Sequence, residues 1–246
     1  MTRQRAALVT GAASGIGRCT VERFVNDDRH DVVACLDLDP AVDDLAVELG
    51  DSVRAYETDV TDHDAVGKVV SEVEEDASVV SAVNNAGISR YFWIGDLEPD
   101  EWDRIVDVNL KGQYNVARHV GPRMYERKEG YIVNVSSGAG QRGSASGGVH
   151  YSAAKAGVFG LTKGLAKQLA PHVRVNSVVP GLIDTPLTTE SGLWTEEEIE
   201  AFEDELPLAR VGEPDEVARV IEFCCGPGAV YMTGSTINVD GGGALS

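Results

Sequence analysis

Short strand-like runs rich in apolar residues recur along the chain, and between most of them apolar positions return every three or four residues. The runs at residues 6–10, 32–36, 53–57, 79–83, 130–135, 173–178 and 236–239 predict strands, and the intervening stretches predict helices with one apolar face. Strand and helix alternate with no linker-like segment, so the pattern predicts one α/β domain over residues 1–246. Its expected architecture is a doubly wound, mainly parallel seven-stranded sheet with helices on both faces. The crossovers should be right-handed, and a ligand should lie across the carboxyl ends of the strands. No internal repeat, low-complexity tract or apolar run near the roughly 18 residues of a membrane span interrupts the pattern.

Two places along this pattern carry recognisable chemistry. The first apolar run leads into Thr10-Gly11-Ala12-Ala13-Ser14-Gly15-Ile16-Gly17 and then into a helical pattern through Val21, Phe24 and Val25. Glycines there let the backbone pass close to a pyrophosphate, and a helix N-terminus offers unpaired N–H groups and a positive dipole end. Asp37 ends the next run, at about the 20-residue distance expected of an acid that binds an adenosine ribose. The second place is Tyr151 with Lys155, four apart in a helical pattern and so on one face. A phenol with a pKa near 10 is a poor proton carrier at neutral pH, whereas an ammonium beside it favours the phenolate. Lys155 is therefore expected to lower the Tyr151 pKa and make it a general acid/base.

Asp59-Val60, Asn84-Asn85-Ala86-Gly87, Asn109, Val135-Ser136-Ser137, Pro180-Gly181, Thr233-Gly234 and Asn238-Val239-Asp240-Gly241-Gly242 complete an ordered set of motifs. With them the chain resembles the short-chain dehydrogenase/reductase family over almost its whole length. The resemblance implies a Rossmann domain, a nicotinamide cofactor, and hydride transfer to or from a carbonyl or carbinol carbon. It implies Tyr151 as proton donor/acceptor and Lys155 as the group that tunes it and holds the nicotinamide ribose. Ser137 is implied as partner of the substrate oxygen, and Asn109 as anchor of a water in a proton path beside the lysine. Cofactor contacts are implied at Gly11, Ser14, Gly15, Ile16 and Gly17, and at Asp37 and Leu38. They continue at Asp59 and Val60 for the adenine, at Asn85, Ala86 and Gly87 along the ribose, and at Pro180, Gly181, Ile183 and Thr185 toward the carboxamide. Asn84 is expected to be structural.

Ser137 stands 14 residues before Tyr151, whereas many members have 13, so Ser136, on the opposite strand face, stays open as the alternative. Asp37 followed by Leu38 favours NAD over NADP, because a 2′-phosphate would meet a like charge with no base beside it. Arg18 is the basic residue near enough in sequence to oppose that reading. Substrate contacts are expected from the loop after Ser137, from Ser89-Arg90-Tyr91, from His150 and from a lid over residues 187–210. His150 either donates to a polyol or acid or faces solvent at a helix start; Arg90 either pairs a carboxylate or is a surface base. Trp194 either walls the pocket or packs the lid. The leading expectation is an NAD-linked interconversion of a secondary alcohol and a ketone on a sugar, polyol or hydroxy acid. The alternative is reduction of a 3-oxoacyl thioester, since Pro207-Leu208-Ala209-Arg210 with Gly212 and Pro214 is similar to acyl-carrier-protein reductases. Arg127 and Lys128 would then form part of a docking face for an acidic carrier. A nucleotide-sensing regulator without turnover would have no use for the set Asn109, Ser137, Tyr151 and Lys155.

Charge narrows the partners. The chain carries 40 acidic and 21 basic residues, a formal net charge of −19, which disfavours nucleic acid and leaves a small-molecule substrate as the expected partner. The acid runs at 72–76 and 196–205 read as solvated helix faces, and the four cysteines show no paired metal spacing, so no metal is expected. The first strand starts almost at the N-terminus, leaving no room for a signal peptide, and the expected location is the cytoplasm. The acid excess reads as adaptation to a saline interior, where salt screens self-repulsion. The resemblance also implies a homotetramer, with Val116, Val120 and Met124 as an apolar stripe on one helix and Phe159, Leu165 and Leu169 on another.

Overall fold

A computed structural model of the chain describes residues 3–189 and 192–245, so Glu190 and Ser191 of the expected lid lie outside the described residues. Its strands are β1 (Gln4–Thr10), β2 (Val32–Asp37), β3 (Val53–Glu57), β4 (Ala77–Asn84), β5 (Gly130–Val135), β6 (Val173–Pro180) and β7 (Thr236–Val239). They form one sheet in the order β3-β2-β1-β4-β5-β6-β7, every neighbouring pair parallel. The helices before the centre of the chain are α1 (Gly15–Val25), α2 (Ala41–Leu49), α3 (His63–Asp76), α4 (Pro99–Val106) and α5 (Gly112–Arg127). After it come α6 (Ala139–Arg142), α7 (Gly148–Leu169), α8 (Pro186–Thr189), α9 (Glu196–Glu205) and α10 (Pro214–Cys224).

The apolar runs of β1 and β2 are continuous because both faces of the sheet are covered there. Along β1, Ala6 and Leu8 enter a core closed by α3, α5 and α7, while Ala7 and Val9 enter a second core closed by α1, α2 and α10. Cys35, Cys224 and Cys225 belong to the second core, where burial pushes the Cys35 and Cys225 thiols up to about 12 and leaves all three as small apolar residues. From β1 the sheet grows one way through β2 and β3 and the other way through β4, and this reversal opens a crevice at the carboxyl ends of β1 and β4.

One expectation fails here. Val116, Val120 and Met124 are fully buried against the sheet, and Leu165 and Leu169 pack on the same core. Their spacing records the face that α5 and α7 turn to the strands, so it is no support for an interface between copies. The outward face of α5 instead carries Tyr114 and Tyr125, each about half exposed. Between α4 and α5 the chain makes a single π-helical turn, Asp107–Lys111, a wide turn that widens the backbone where Asn109 points inward.

Candidate active site

The carboxyl ends of β1, β2 and β4 open into a cavity of about 510 Å³. Its floor is the glycine turn. Gly11 has φ +64°, and a Cβ there would lie 2.8 Å from the Ala86 Cα; Gly15 has φ +52°, with a Cβ 3.0 Å from Thr185. Any side chain would therefore fill the cradle. Gly17 serves differently, since its Cβ would meet the Gly11 carbonyl oxygen at 1.8 Å and it does not line the cavity. The expected cofactor contact at Gly17 is thus a helix-packing position. Ser14, Ile16, Leu38, Asp59, Val60 and the segment 85–87 do line the cavity. The Asn85 amide donates to the Thr10 and Gly11 carbonyls at 3.2 and 3.0 Å, binding the end of β4 to the turn.

Asp37 sits at the end of β2, where its carboxylate accepts the Ala13 N–H at 2.8 Å and the Asp39 N–H at 3.0 Å. It closes one end of the glycine turn and faces the same cavity. Arg18 is turned away: its guanidinium binds Glu22 at 2.9 Å and both oxygens of Glu48 at 2.7 Å, which raises its pKa further. The exposed base that does line this cavity is Arg104 on α4, which local sequence did not flag because α4 lies far from the glycine turn along the chain. A cradle that a Cβ would fill and a carboxylate beside an uncharged Leu38 fit the diphosphate and ribose of a dinucleotide.

Ile16, Asn85, Gly87 and Thr185 also border a second cavity of about 790 Å³, so the two halves make one cleft. Ser137, Tyr151, Lys155, Pro180, Gly181 and Ile183 line this half. Lys155 is buried, its Nζ 5.7 Å from the centre of the Tyr151 ring and donating to the Val135 carbonyl at 3.1 Å. Burial pushes the lysine down to about 8. It also raises the Tyr151 pKa, an effect opposed by the neighbouring Ser137 hydroxyl. The expected lowering of Tyr151 by Lys155 is therefore not a property of the protein alone, because burial penalises phenolate and ammonium alike.

The two serines separate cleanly. Ser136 is buried and donates to the Lys155 carbonyl at 2.7 Å, pinning β5 to α7, whereas Ser137 is the one beside the phenol. Ser137 and the helix that bears Tyr151 are joined by a segment that includes the single helical turn α6 and Gly143 at φ +82°. Asn109, in the π-turn, donates to the Ile88 and Ile105 carbonyls at 2.8 and 2.9 Å, and its Oδ1 is buried with no partner among the described residues. A Cβ added to Gly87 would lie 2.8 Å from that Oδ1 and 3.4 Å from Lys155 Nζ, so acceptor and ammonium border one spot. A buried acceptor of this kind is satisfied by a bound hydroxyl or water. Asn84 is structural, donating to Asn134 at 2.8 Å in the core.

Beyond the phenol, Trp194 lines the cavity with Phe202 edge-on at 5.6 Å, joined by Leu187 and Leu193. Ser89, Tyr91, Ser144 and Ser146 line the same cavity, as does Arg142, which donates to the Gly243 carbonyl. Phe202, Arg142 and the two loop serines fall in the loop after Ser137 and in the lid, the segments expected to supply substrate contacts, but were not named individually, since only the folded chain shows which of their side chains line the cavity.

Three expected contacts are displaced. His150 neither reaches the cavity nor faces solvent: it is fully buried beside Phe92, ring centres 6.0 Å apart, and burial lowers its pKa. Arg90 points outward to Glu101 at 3.7 Å and lines neither half of the cleft. Arg127 binds Glu74 at 2.9 Å and the Val79 carbonyl at 2.7 Å, and Lys128 caps α5; both lie at the amino end of β5, away from the cleft at the strands' carboxyl ends. They form no docking face at its mouth.

Comparison with known proteins bears on this cleft as a whole. A family profile described as Enoyl-(Acyl carrier protein) reductase matches residues 11–243. The 3-oxoacyl-[acyl-carrier-protein] reductase FabG of Thermotoga maritima is 40% identical over 243 residues, which is 97% of this chain and 97% of that one. A solved 3-oxoacyl-[acyl-carrier protein] reductase with bound NAD from Brucella melitensis superposes with a TM-score of 0.86 at 36% identity, covering 98% of this chain and 91% of that one. Ligand-free Thermoplasma acidophilum aldohexose dehydrogenase gives a TM-score of 0.87 at 34% identity, covering 99% and 95% respectively.

Proposed function

The chain belongs to the short-chain dehydrogenase/reductase family, and we propose that it is an NAD-linked member interconverting a ketone and a secondary alcohol, with 3-oxoacyl and 3-hydroxyacyl thioesters as its substrate class. The observation that carries the substrate class is the apolar group of Leu187, Leu193, Trp194 and Phe202 lining the same cavity as Tyr151, which suits an acyl chain better than a sugar ring. The names of the relatives support the same class, which reverses the order of the two substrate expectations drawn from the sequence alone.

When bound, the nicotinamide cofactor carries the hydride. Tyr151 takes the hydroxyl proton during oxidation and returns it during reduction, and Ser137 holds the substrate oxygen beside the phenol. Lys155 holds ribose hydroxyls and, as an ammonium, favours the phenolate at the moment of transfer. Asn109 Oδ1 orders the hydroxyl or water that links the lysine to solvent. Asp37 accepts from the adenosine ribose, and its charge with Leu38 beside it supports NAD over NADP. Segment 187–210 serves as the substrate lid. Its helix α9 opens on Glu196, Glu197 and Glu198, of which Glu198 lines the cavity, and this acidic turn with the net charge of −19 favours a thioester carried on a small thiol over one carried on an acidic protein. The active assembly is a homotetramer in a saline cytoplasm.

A second reading, oxidation of an aldohexose or polyol, is favoured by the hydroxyls of Ser89, Ser144 and Ser146, which line the same cavity. Steady-state assays with NAD and with NADP separate the two, using 3-hydroxybutyryl-coenzyme A, aldohexoses, polyols and 2-hydroxy acids. The thioester with NAD is expected to show the highest kcat/KM; a higher value for an aldohexose would put the second reading first, and a preference for NADP would overturn the reading of Asp37.

A further inference from the structure

The carbonyl that receives Lys155 also receives a second side chain. Lys155 Nζ donates to the Val135 oxygen at 3.1 Å and Gln113 Nε2 donates to the same oxygen at 3.0 Å, which together fill its two lone pairs. This oxygen is open to side chains because β4 and β5 stop pairing at Asn84 and Asn134, one residue short of it, while Ser136 already turns its N–H to Val178 on β6 at 2.8 Å.

Gln113 lies in the first turn of α5, directly after the π-turn that carries Asn109, and is buried to 2% exposure. Its backbone carbonyl accepts from Asn84 at 3.4 Å; Asn84 donates to Asn134 at 2.8 Å, and Asn134 to Thr162 on α7 at 2.9 Å. A line of buried amides thus ties the start of α5 to the helix that bears Lys155. Gln113 Oε1 has no partner among the described residues, and a buried amide left half-satisfied costs free energy that an apolar side chain would not. Val116, Val120 and Met124, further along the same helix, are all apolar. The donor on Gln113 therefore calls for a reason at the site.

We propose that Gln113 is a positioning residue for Lys155: by taking one lone pair of the Val135 carbonyl it limits how far that oxygen draws the ammonium into the sheet. Nζ then stays where it serves Tyr151 and the ribose. The inference rests on the proposed role of Lys155. Without the Gln113 donor the full carbonyl dipole acts on the lysine, which favours its charged form and pulls it toward β5. Tyr151 is the titratable group beside it; β5 and the π-turn present the Val135 carbonyl and the Asn109 amide, and burial is the cause of the lysine's lowered pKa.

Gln113→Met keeps the length of the side chain and removes the donor. In protein with 13C-labelled lysine side chains, the Lys155 titration should move up by about half a pH unit or more. In steady state, KM for NAD should rise about threefold with a smaller change in kcat, a split that a loss of packing alone would not produce. A folded Gln113→Met protein with an unchanged Lys155 titration and unchanged KM for NAD overturns the proposal. Should that variant fail to fold, the wild-type Gln113 side-chain amide decides: its resonances should titrate with the Lys155 midpoint, and an amide that stays fixed through that range overturns the proposal equally. Lys155→Ala keeps the two readings apart. Retained turnover there sinks the catalytic reading, whereas lost turnover with a silent Gln113→Met sinks the positioning role alone.

Discussion

Replacing Asp37 with Ala and Leu38 with Arg tests whether the residue assigned to cofactor choice also holds the turn that cradles the cofactor. The Asp37 carboxylate accepts the Ala13 N–H at 2.8 Å and the Asp39 N–H at 3.0 Å. A hydrogen bond to a charged acceptor contributes about 1.5–3 kcal/mol, more where the orphaned donor stays away from water. Asp39 is exposed and its N–H can turn to solvent, whereas Ala13 is half-buried in the turn, so the net loss is about one such bond, roughly 1.5–3 kcal/mol. For a chain of this size each kcal/mol moves Tm by about 2–4 °C, giving a fall of roughly 3–12 °C for the double variant. The assays are thermal unfolding of the protein alone and kcat/KM for NAD and NADP. The variant should shift toward NADP and melt lower; Asp37→Ala alone should melt equally low without gaining NADP use. An unchanged Tm refutes the anchoring role. A wild-type preference for NADP refutes the specificity role and makes Arg104 the base to remove next.

Lys155→Ala should lower kcat and raise KM for NAD together, because one ammonium serves both; NAD affinity equal to wild type would contradict the double role. His30 is buried with Nε2 2.8 Å from the Ser81 hydroxyl, and burial pushes it from 6.5 down to about 4, so between those values the unfolded chain binds a proton that the native chain refuses. The stability tied to neutral His30 is complete above pH 6.5 and is lost as pH falls through about 4, a change of roughly 3 kcal/mol; His30→Gln should flatten this stretch of a stability–pH curve measured by denaturant unfolding, and parallel curves would exclude His30 as its source. Raising KCl from low salt to molar is expected to raise both Tm and specific activity, since 40 acidic residues against 21 basic repel one another when unscreened; flat or falling values would remove the saline reading.

Features written in local chemistry were legible in the sequence. The inner strands β1 and β2 stood out because both faces are buried, which leaves continuous apolar runs, and the glycine turn because its demands fall on the backbone itself. Strand ends were less visible: β4 runs on to Asn84 and β6 through Val179 to Pro180 because pairing continues into residues such as Asn84 and Pro180 that carry no strand signal of their own. The choice between Ser136 and Ser137 waited on which hydroxyl meets the Lys155 carbonyl. Substrate contacts were least legible. Phe202 enters the cleft only because α9 folds over it, and His150 leaves it because Phe92 covers the start of α7. Gln113 looked like any polar residue on a helix until the carbonyl it shares with Lys155 was in place.

The most direct test of the account compares wild type with Tyr151→Phe in NAD binding by calorimetry and in NAD-linked turnover of 3-hydroxybutyryl-coenzyme A. The ring and its packing remain in the variant, and only the transferred proton is lost. NAD affinity should stay near wild type while kcat falls by about two orders of magnitude or more. Substantial turnover in Tyr151→Phe would contradict proton transfer at this phenol, and with it the assignment of the cleft.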